Sequence, residues 1–364
     1  MNTTPPISVV MPAYNHADFI EESILSVLNQ EFSDLELLVG DDGSSDDTVA
    51  RARKIKDHRV QVFQNPVNRG AALSLSELIG RARGKYVAII NSDDAWLPGK
   101  LEKQFQFLEN NPEIGACFGR ARFFDRSGKD IPKAHLPFGS VFDAENRSRG
   151  AWLRHFFLRG NCICHPTILI RRDLYKKLGA YDNRLRQLPD FEMWIRLVKI
   201  STFHIFDEDF IRFRVLPGEN ASANTQSNTT RILNEHHFIA EGFFDALSPE
   251  LLKEGFSDLL IHSTIASPEH LDIEKAFLFF QPVRSLMPSY RLIGLSKLHD
   301  LLTSERHRLV LERDYSFDDR AFHKLASEVT TFTDSPWKER RTLKKILSRL
   351  KARTKRLISV LSAR

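Results

Sequence analysis

Short apolar runs alternate along the first third of the chain with stretches whose apolar residues recur every three or four positions. Ile7 to Met11 reads ISVVM, Leu35 to Val39 reads LELLV, Val60 to Gln64 reads VQVFQ, and Tyr86 to Ile90 reads YVAII. Runs this short, rich in β-branched residues and bounded by Pro, Asp or Asn, predict strands. Between them, Ile20, Ile24, Val27 and Leu28 fall on one helical face, and residues 46–55 open with acids that suit a helix N-terminus. A third helical pattern covers 71–82 and stops at Gly84, and a fourth follows Pro98, with Leu101, Phe105 and Leu108 in register. Asp18-Phe19-Ile20-Glu21 has capping-box spacing, so its acids are expected to open the first helix. Strand alternating with helix predicts an α/β fold, a mostly parallel sheet flanked by helices.

Beyond residue 115 the pattern is mixed. Strands are expected over 116–124 and 167–170, and a strand pair over 203–215. Asp190 to Ile200, DFEMWIRLVKI, puts Phe191, Trp194, Ile195 and Val198 on one helical face. Residues 217–230, rich in Asn, Ser and Thr, read as a loop. From Ile232 the pattern is mainly helical and carries no chemical motif. The expected organisation is an α/β domain over 1–230, a helical region over 231–336 and a tail over 337–364.

In a parallel sheet, ligands bind beyond the carboxyl ends of the strands. Two acidic clusters sit there: VGDDGSSDDT after the second strand and NSDD after the fourth. Adjacent aspartates at a strand end can bind Mg²⁺ or Mn²⁺ together with water and phosphate. A cation held this way neutralises a diphosphate leaving group. The competing explanation is a solvated turn or a helix cap.

Charge and cysteine usage narrow the classes. The net charge is +5, but residues 338–364 hold eleven Lys/Arg against one Glu, and the rest of the chain holds 41 basic against 46 acidic residues. The body is therefore mildly acidic, which argues against a basic groove for nucleic acid. The tail, WKERRTLKKILSRLKARTKRLISVLSAR, spaces Leu343, Ile346, Leu347, Leu350, Leu357 and Leu361 as a basic amphipathic helix suited to an anionic membrane surface. The three cysteines, Cys117, Cys162 and Cys164, make no disulfide framework. Cys162-Ile163-Cys164-His165 lacks a zinc spacing and is expected as buried small residues on a strand. The N-terminus has no signal-peptide pattern, and no run approaches the ~18 apolar residues of a membrane span. A cytoplasmic protein, peripheral on the inner membrane face through its tail, is expected.

Six stretches in order carry a family resemblance: ISVVMPAYNHADFIEESILSVLNQ, LELLVGDDGSSDDT, NRG at Asn68 to Gly70, ARGKYVAIINSDDAWLPGKLEKQ, HPTILIRRDLYKKLGAYD and PDFEMWIRL. Together the set resembles the family 2 glycosyltransferases of GT-A fold over roughly residues 5–220. The resemblance implies an inverting transferase that moves a sugar from a nucleotide-diphosphate sugar, UDP by default, to a glycan or lipid-linked acceptor. It implies that Pro12, Ala13 and Tyr14 line the nucleotide pocket and that Asp42 accepts a hydrogen bond from the base. Asp93 would contact the ribose or donor sugar, Asp94 would ligate Mg²⁺ or Mn²⁺, and Asp190 would be the general base, held ionised at its helix start. Surface polysaccharide synthesis, O-antigen or capsule, is the family's usual setting. The stretch Asn161 to Arg172 is expected beside the acceptor, with Arg171 and Arg172 either touching phosphate on a lipid-linked acceptor or forming a solvated strand end.

The chain departs from the family pattern at several points. Pro189 stands where a Glu precedes the base, Asn91 where a further acid precedes the metal-site pair, and Leu216 where a late His is common. These departures leave a catalytically silent GT-A scaffold as the alternative. A nucleotidyltransferase would need a Gly-rich basic loop where PAYNHADF stands. No Gln-x-x-Arg-Trp motif of processive synthases occurs, so one sugar per encounter is expected.

Overall fold

The computed structural model describes residues 4–219, 225–281 and 289–329. The expected tail, 337–364, lies outside the described residues. The chain forms two compact units, Met1–Ser263 and Thr264–Arg364.

In the first unit the nine described strands are β1 (Ile7–Ala13), β2 (Leu35–Asp41), β3 (Val60–Gln64), β4 (Tyr86–Ile89), β5 (Ala95–Trp96), β6 (Ile114–Phe124), β7 (Asp130–Ile131), β8 (Leu169–Arg171) and β9 (Thr202–Arg214). They join one sheet in the order β3-β2-β1-β4-β8-β6-β9-β5, with β7 on β6. The four N-terminal strands are parallel, as the sequence predicts, and β8 enters antiparallel between β4 and β6. Helices α1 (Ile20–Leu28), α2 (Thr48–Lys54), α3 (Ala71–Arg81) and α4 (Lys100–Asn110) connect these strands, and α5 (Arg149–Arg159), α6 (Arg172–Leu178), α7 (Pro189–Ile200), α8 (Gln226–Glu241) and α9 (Pro249–Phe256) follow. The fully buried side chains of Ile7, Val9 and Met11 from β1, Ile20, Ile24 and Val27 from α1, and Ala88 and Ile90 form the centre of the core. Its burial is the main drive for closing helix onto sheet.

Four local expectations are corrected. The helix over 18–28 has Phe19 as N-cap with no side-chain cap; His16 C=O instead accepts the Phe19 and Ile20 N–H groups. The expected strand pair over 203–215 is a single long strand, β9, running parallel to β6 through register shifts. Cys162 and Cys164 are buried, but they lie in irregular chain before a 3₁₀ turn at His165–Thr167 and not on a strand. Arg171 and Arg172 are half-buried, bonded to carbonyls, and not beside the acidic strand ends. Arg171 pairs across from Tyr86, at the amino end of β4, and donates to the carbonyls of Leu108, Asn111 and Ile114. Arg172 donates to the Gly84 carbonyl.

The second unit, as described, contains α10 (Pro268–Leu278), α11 (Tyr290–Leu301), α12 (Glu305–Tyr315) and α13 (Asp319–Glu328) around Ile273, Ala276, Leu298 and Leu311. Its helical character agrees with the sequence pattern. Among the described residues no helix is long and apolar enough to cross a membrane.

Candidate active site

Three of the four acids of VGDDGSSDDT, Asp41, Asp42 and Asp46, accept backbone amides. Asp41 ends β2 beside Ala13 of β1 and accepts the Gly43 and Ser44 N–H groups at 3.2 and 3.0 Å. Gly43 has φ +77°, and a Cβ there would lie 2.6 Å from the Val67 carbonyl carbon, so this turn requires glycine. Asp42, 3% exposed, accepts the N–H groups of Arg69 (3.0 and 3.1 Å) and Gly70 (2.8 Å), the Ser74 hydroxyl (2.8 Å) and the Asn65 amide (3.3 Å). Burial alone would raise its pKa, but these donors outweigh burial and hold it below the ordinary carboxylate value. Asp42 is thereby an ionised anchor for the Asn68–Gly70 loop. Asp46 accepts the Ala17 N–H and both the N–H and hydroxyl of Thr48, which latches the 14–17 loop to the sheet edge. Pro12 and Ala13 end β1 at this edge, and Tyr14 projects from it 44% exposed.

The second pair is built differently. Asp93 and Asp94 follow β4 and are 7% and 1% exposed. Asp94 accepts the Arg214 N–H at 2.8 Å and the Asn91 amide at 2.9 Å. Burial raises the pKa of both, and the neighbouring Asp93 charge raises Asp94 further. Arg214 stands behind the pair and is 2% exposed. Its guanidinium donates to the Asp93 carbonyl (2.7 Å) and to Glu22, and it lies over the rings of Phe19 and Phe124. His16 Nδ1 shares a hydrogen with Ser92 Oγ at 2.7 Å. Among the described residues no group of three or more His, Cys, Asp or Glu could hold a metal by itself. The donor set nonetheless fits Mg²⁺ or Mn²⁺, which use one or two carboxylates and complete their shell with water and substrate phosphate. Two adjacent buried carboxylates, both raised by burial, are also a pair that a cation would compensate.

Asp190 enters from another direction. It lies in the first turn of α7, and its carboxylate accepts the Asn161 amide at 2.9 Å. Burial pushes its pKa up to about 6, against the lowering by the Phe191 N–H and Asn161; Glu235 adds to the rise. The helix start thus does not keep Asp190 strongly ionised, as position alone suggests; desolvation exceeds the donors. The segment 161–167 links the two acidic regions. The buried Cys164 thiol is pushed up by burial and then by the charges of both Asp94 and Asp190, so it lies within electrostatic reach of each. Trp96 Nε1 donates to the Pro166 carbonyl at 3.0 Å and fastens this segment beside the Asp93–Asp94 strand end. His165 Nε2 and Tyr181 OH are 3.0 Å apart, and burial takes the imidazole down to about 4.

Sequence reasoning missed Glu235 and named neither Arg214 nor Asn161 as an individual site residue. For Arg214 the available signal was its place in Arg214-Val215-Leu216, two residues before the position where a late His is common. Neither of the others belongs to a motif that announces contact with Asp190.

The sheet order, with acids at the ends of β2 and β4, is that of a GT-A transferase. Residues 8–179 match the family described as Glycosyl transferase family 2. An uncharacterized glycosyltransferase of Methanocaldococcus jannaschii is 31% identical over 221 residues, 59% of this chain and 73% of that protein. The Escherichia coli UDP-Glc:alpha-D-GlcNAc-diphosphoundecaprenol beta-1,3-glucosyltransferase WfaP is 28% identical over 263 residues, 69% of this chain and 96% of that protein. The mannosyltransferase PcManGT from Pyrobaculum calidifontis, solved in complex with GDP-Man and Mn²⁺, shares the fold with a TM-score of 0.51 and 17% identity, over 90% of this chain and 87% of that one. The chain belongs to glycosyl transferase family 2.

Proposed function

We propose that the protein is an inverting glycosyltransferase acting on a nucleotide-diphosphate sugar, by default a UDP-sugar. Its acceptor is a hydroxyl of a glycan or lipid-linked molecule, in the building of a surface polysaccharide such as an O-antigen or capsule. Family membership supports the reaction class. WfaP, whose name carries both a UDP-sugar and a diphospholipid acceptor, supports the donor and acceptor classes.

The observation that carries the mechanism is the buried Asp190 carboxyl with its pKa near 6, within reach of the same thiol as Asp94. A general base works best with a pKa near the operating pH. Asp190 takes the proton of the acceptor hydroxyl as that oxygen attacks the anomeric carbon from the face opposite the diphosphate. Direct displacement inverts the centre. Pro12, Ala13 and Tyr14 line the nucleotide pocket, and Asp93 orients the ribose or donor sugar. Asp42 borders the base through the loop it anchors; accepting a base N–H itself would require exchanging one of its present donors. Asp94 would hold Mg²⁺ or Mn²⁺, which when bound neutralises the departing diphosphate.

The test is nucleoside-diphosphate release from UDP-, GDP- and dTDP-sugars with diphospholipid acceptors, with and without Mn²⁺. Metal-dependent release from one donor, rising with pH through about 6 as Asp190 loses its proton and lost in Asp190→Asn, is the expected result. No release and no nucleotide binding would favour the silent scaffold that Pro189, Asn91 and Leu216 suggest. The 337–364 tail would hold the enzyme on an anionic membrane surface, the inner face in a cytoplasmic setting. Truncation before Trp337 should then abolish co-sedimentation with anionic vesicles, and unchanged sedimentation would remove that role.

A further inference from the structure

The backbone that delivers Asp190 into α7 is held from a distance. The consecutive N–H groups of Arg186, Gln187 and Leu188 converge on one carboxylate, Glu235 of α8, at 2.8, 2.7 and 2.9 Å. Glu235 is 3% exposed. Successive backbone N–H groups form a concave anion site, and here a side chain 47 to 49 residues away fills it. The first helical residue, Pro189, has no N–H to offer. The Gln187 side chain adds a second tie to α8 through Asn228 Oδ1 at 3.3 Å.

We propose that Glu235 is a positioning residue for glycosyl transfer. Its carboxylate moulds the entry to α7 so that Asp190 meets the acceptor hydroxyl, and its charge replaces, from α8, the acid that this chain lacks at Pro189. The inference rests on Asp190 being the general base.

The electrostatics agree with this geometry. After burial, Glu235 is the group that raises Asp190, while the Phe191 N–H and Asn161 lower it. Cys164 and Tyr181 also feel Asp190, but burial pushes both up first, so each keeps its proton and stays neutral at pH 7. His236 edges the Phe191 ring, and burial lowers its pKa. Of the basic side chains on the packed helices, Arg149 of α5 bonds the Val198 and Lys199 carbonyls, Arg196 of α7 pairs with Glu192, and Arg231 of α8 donates to Asn228. A negative charge beside Asp190 makes it a better proton acceptor.

The experiment follows the Asp190 carboxyl by ¹³C NMR in aspartate-labelled full-length protein, with the resonance assigned by Asp190→Asn, beside steady-state kinetics. Glu235→Gln should move the Asp190 titration to lower pH by at least about 0.3 unit. It should also lower kcat about 10-fold with donor KM unchanged. Glu235→Asp, which keeps the charge, should keep the wild-type titration and recover part of kcat. An unmoved titration in folded Glu235→Gln, or an unchanged kcat, would overturn the proposal. If Glu235→Gln does not fold, Glu235→Asp decides: lowered kcat at unchanged KM supports positioning, and wild-type kcat overturns it. Failure of both to fold would make Glu235 a residue of the fold alone and overturn the proposal as well. A wild type without turnover on any donor would defeat the transfer reading, and the titration shift would still tell whether Glu235 acts on Asp190.

Discussion

Two Asp-Asp dipeptides lie at or beyond the carboxyl ends of the two parallel strands that flank β1 in the sheet, and the protein treats them in opposite ways. Asp42 of the first pair is surrounded by four donor residues, two of them offering backbone N–H groups, and its pKa is lowered. Asp93 and Asp94 are equally buried, but burial and mutual repulsion prevail and their pKa values are raised. The dipeptide carries no information about this difference. Convergence of donors makes one pair a finished structural anion. At the other pair desolvation exceeds the donors, and the proposed cation and diphosphate would offset it.

This contrast is open to four measurements. Asp94→Asn should cost roughly 100- to 1,000-fold in nucleotide release, because it removes a site for transition-state charge. The same change should leave thermal unfolding unchanged or raised, since it relieves two buried like charges. A large loss of stability would mean that the second pair is structural like the first. Asp42→Asn should do the reverse and lower unfolding free energy in urea by about 2–3 kcal/mol, because buried donors lose a charged acceptor. A stable variant with only weakened donor binding would make Asp42 chiefly a nucleotide contact. Arg214→Lys should cost about 1–2 kcal/mol through the lost bond to the Asp93 carbonyl. It should also weaken Mn²⁺-supported donor binding more than metal-free binding, measured by calorimetry.

The smallest effect is the pH dependence of stability, and its sign separates the pairs. Asp93 and Asp94 have raised folded pKa values, so without metal their contribution to stability should rise as pH falls from neutral through those values. Asp190 contributes in the same direction near pH 6. Asp42 is depressed, so its contribution is complete above the unfolded Asp value of about 3.9 and is lost only as pH falls through its lower folded value. On acidification from about pH 7.5 to 5 the wild type should therefore gain stability relative to Asp94→Asn in thermal unfolding, while the buried histidines, His155 and His165 at about 4 among them, take stability from both. Equal slopes would show that the second pair does not titrate as a buried couple.

Much of the α/β frame was legible beforehand. ISVVM, LELLV and YVAII read as buried strands because burial on both faces leaves little room for polar residues, and the structure pairs them in parallel. The opening of the first helix was misread because capping-box spacing is local, whereas the donors at that end are satisfied by the His16 carbonyl. Arg171 was misread because adjacency to a strand end does not say which end faces the ligand. The antiparallel entry of β8 carries it to the amino end of β4.

The sequence by itself determined the family, the parallel strands, the acids at their carboxyl ends and the helix that bears Asp190. Each of these follows from local periodicity or from residues adjacent in the chain. Tertiary structure alone decided what those acids are. Asp42 meets donors 27 and 28 residues away, Asp94 is tied to Arg214 across 120 residues, and Glu235 reaches the Asp190 entry across 47 to 49. A carboxylate's proton affinity depends on its desolvation and on the donors and charges around it, and those assemble only when distant segments of the chain pack together.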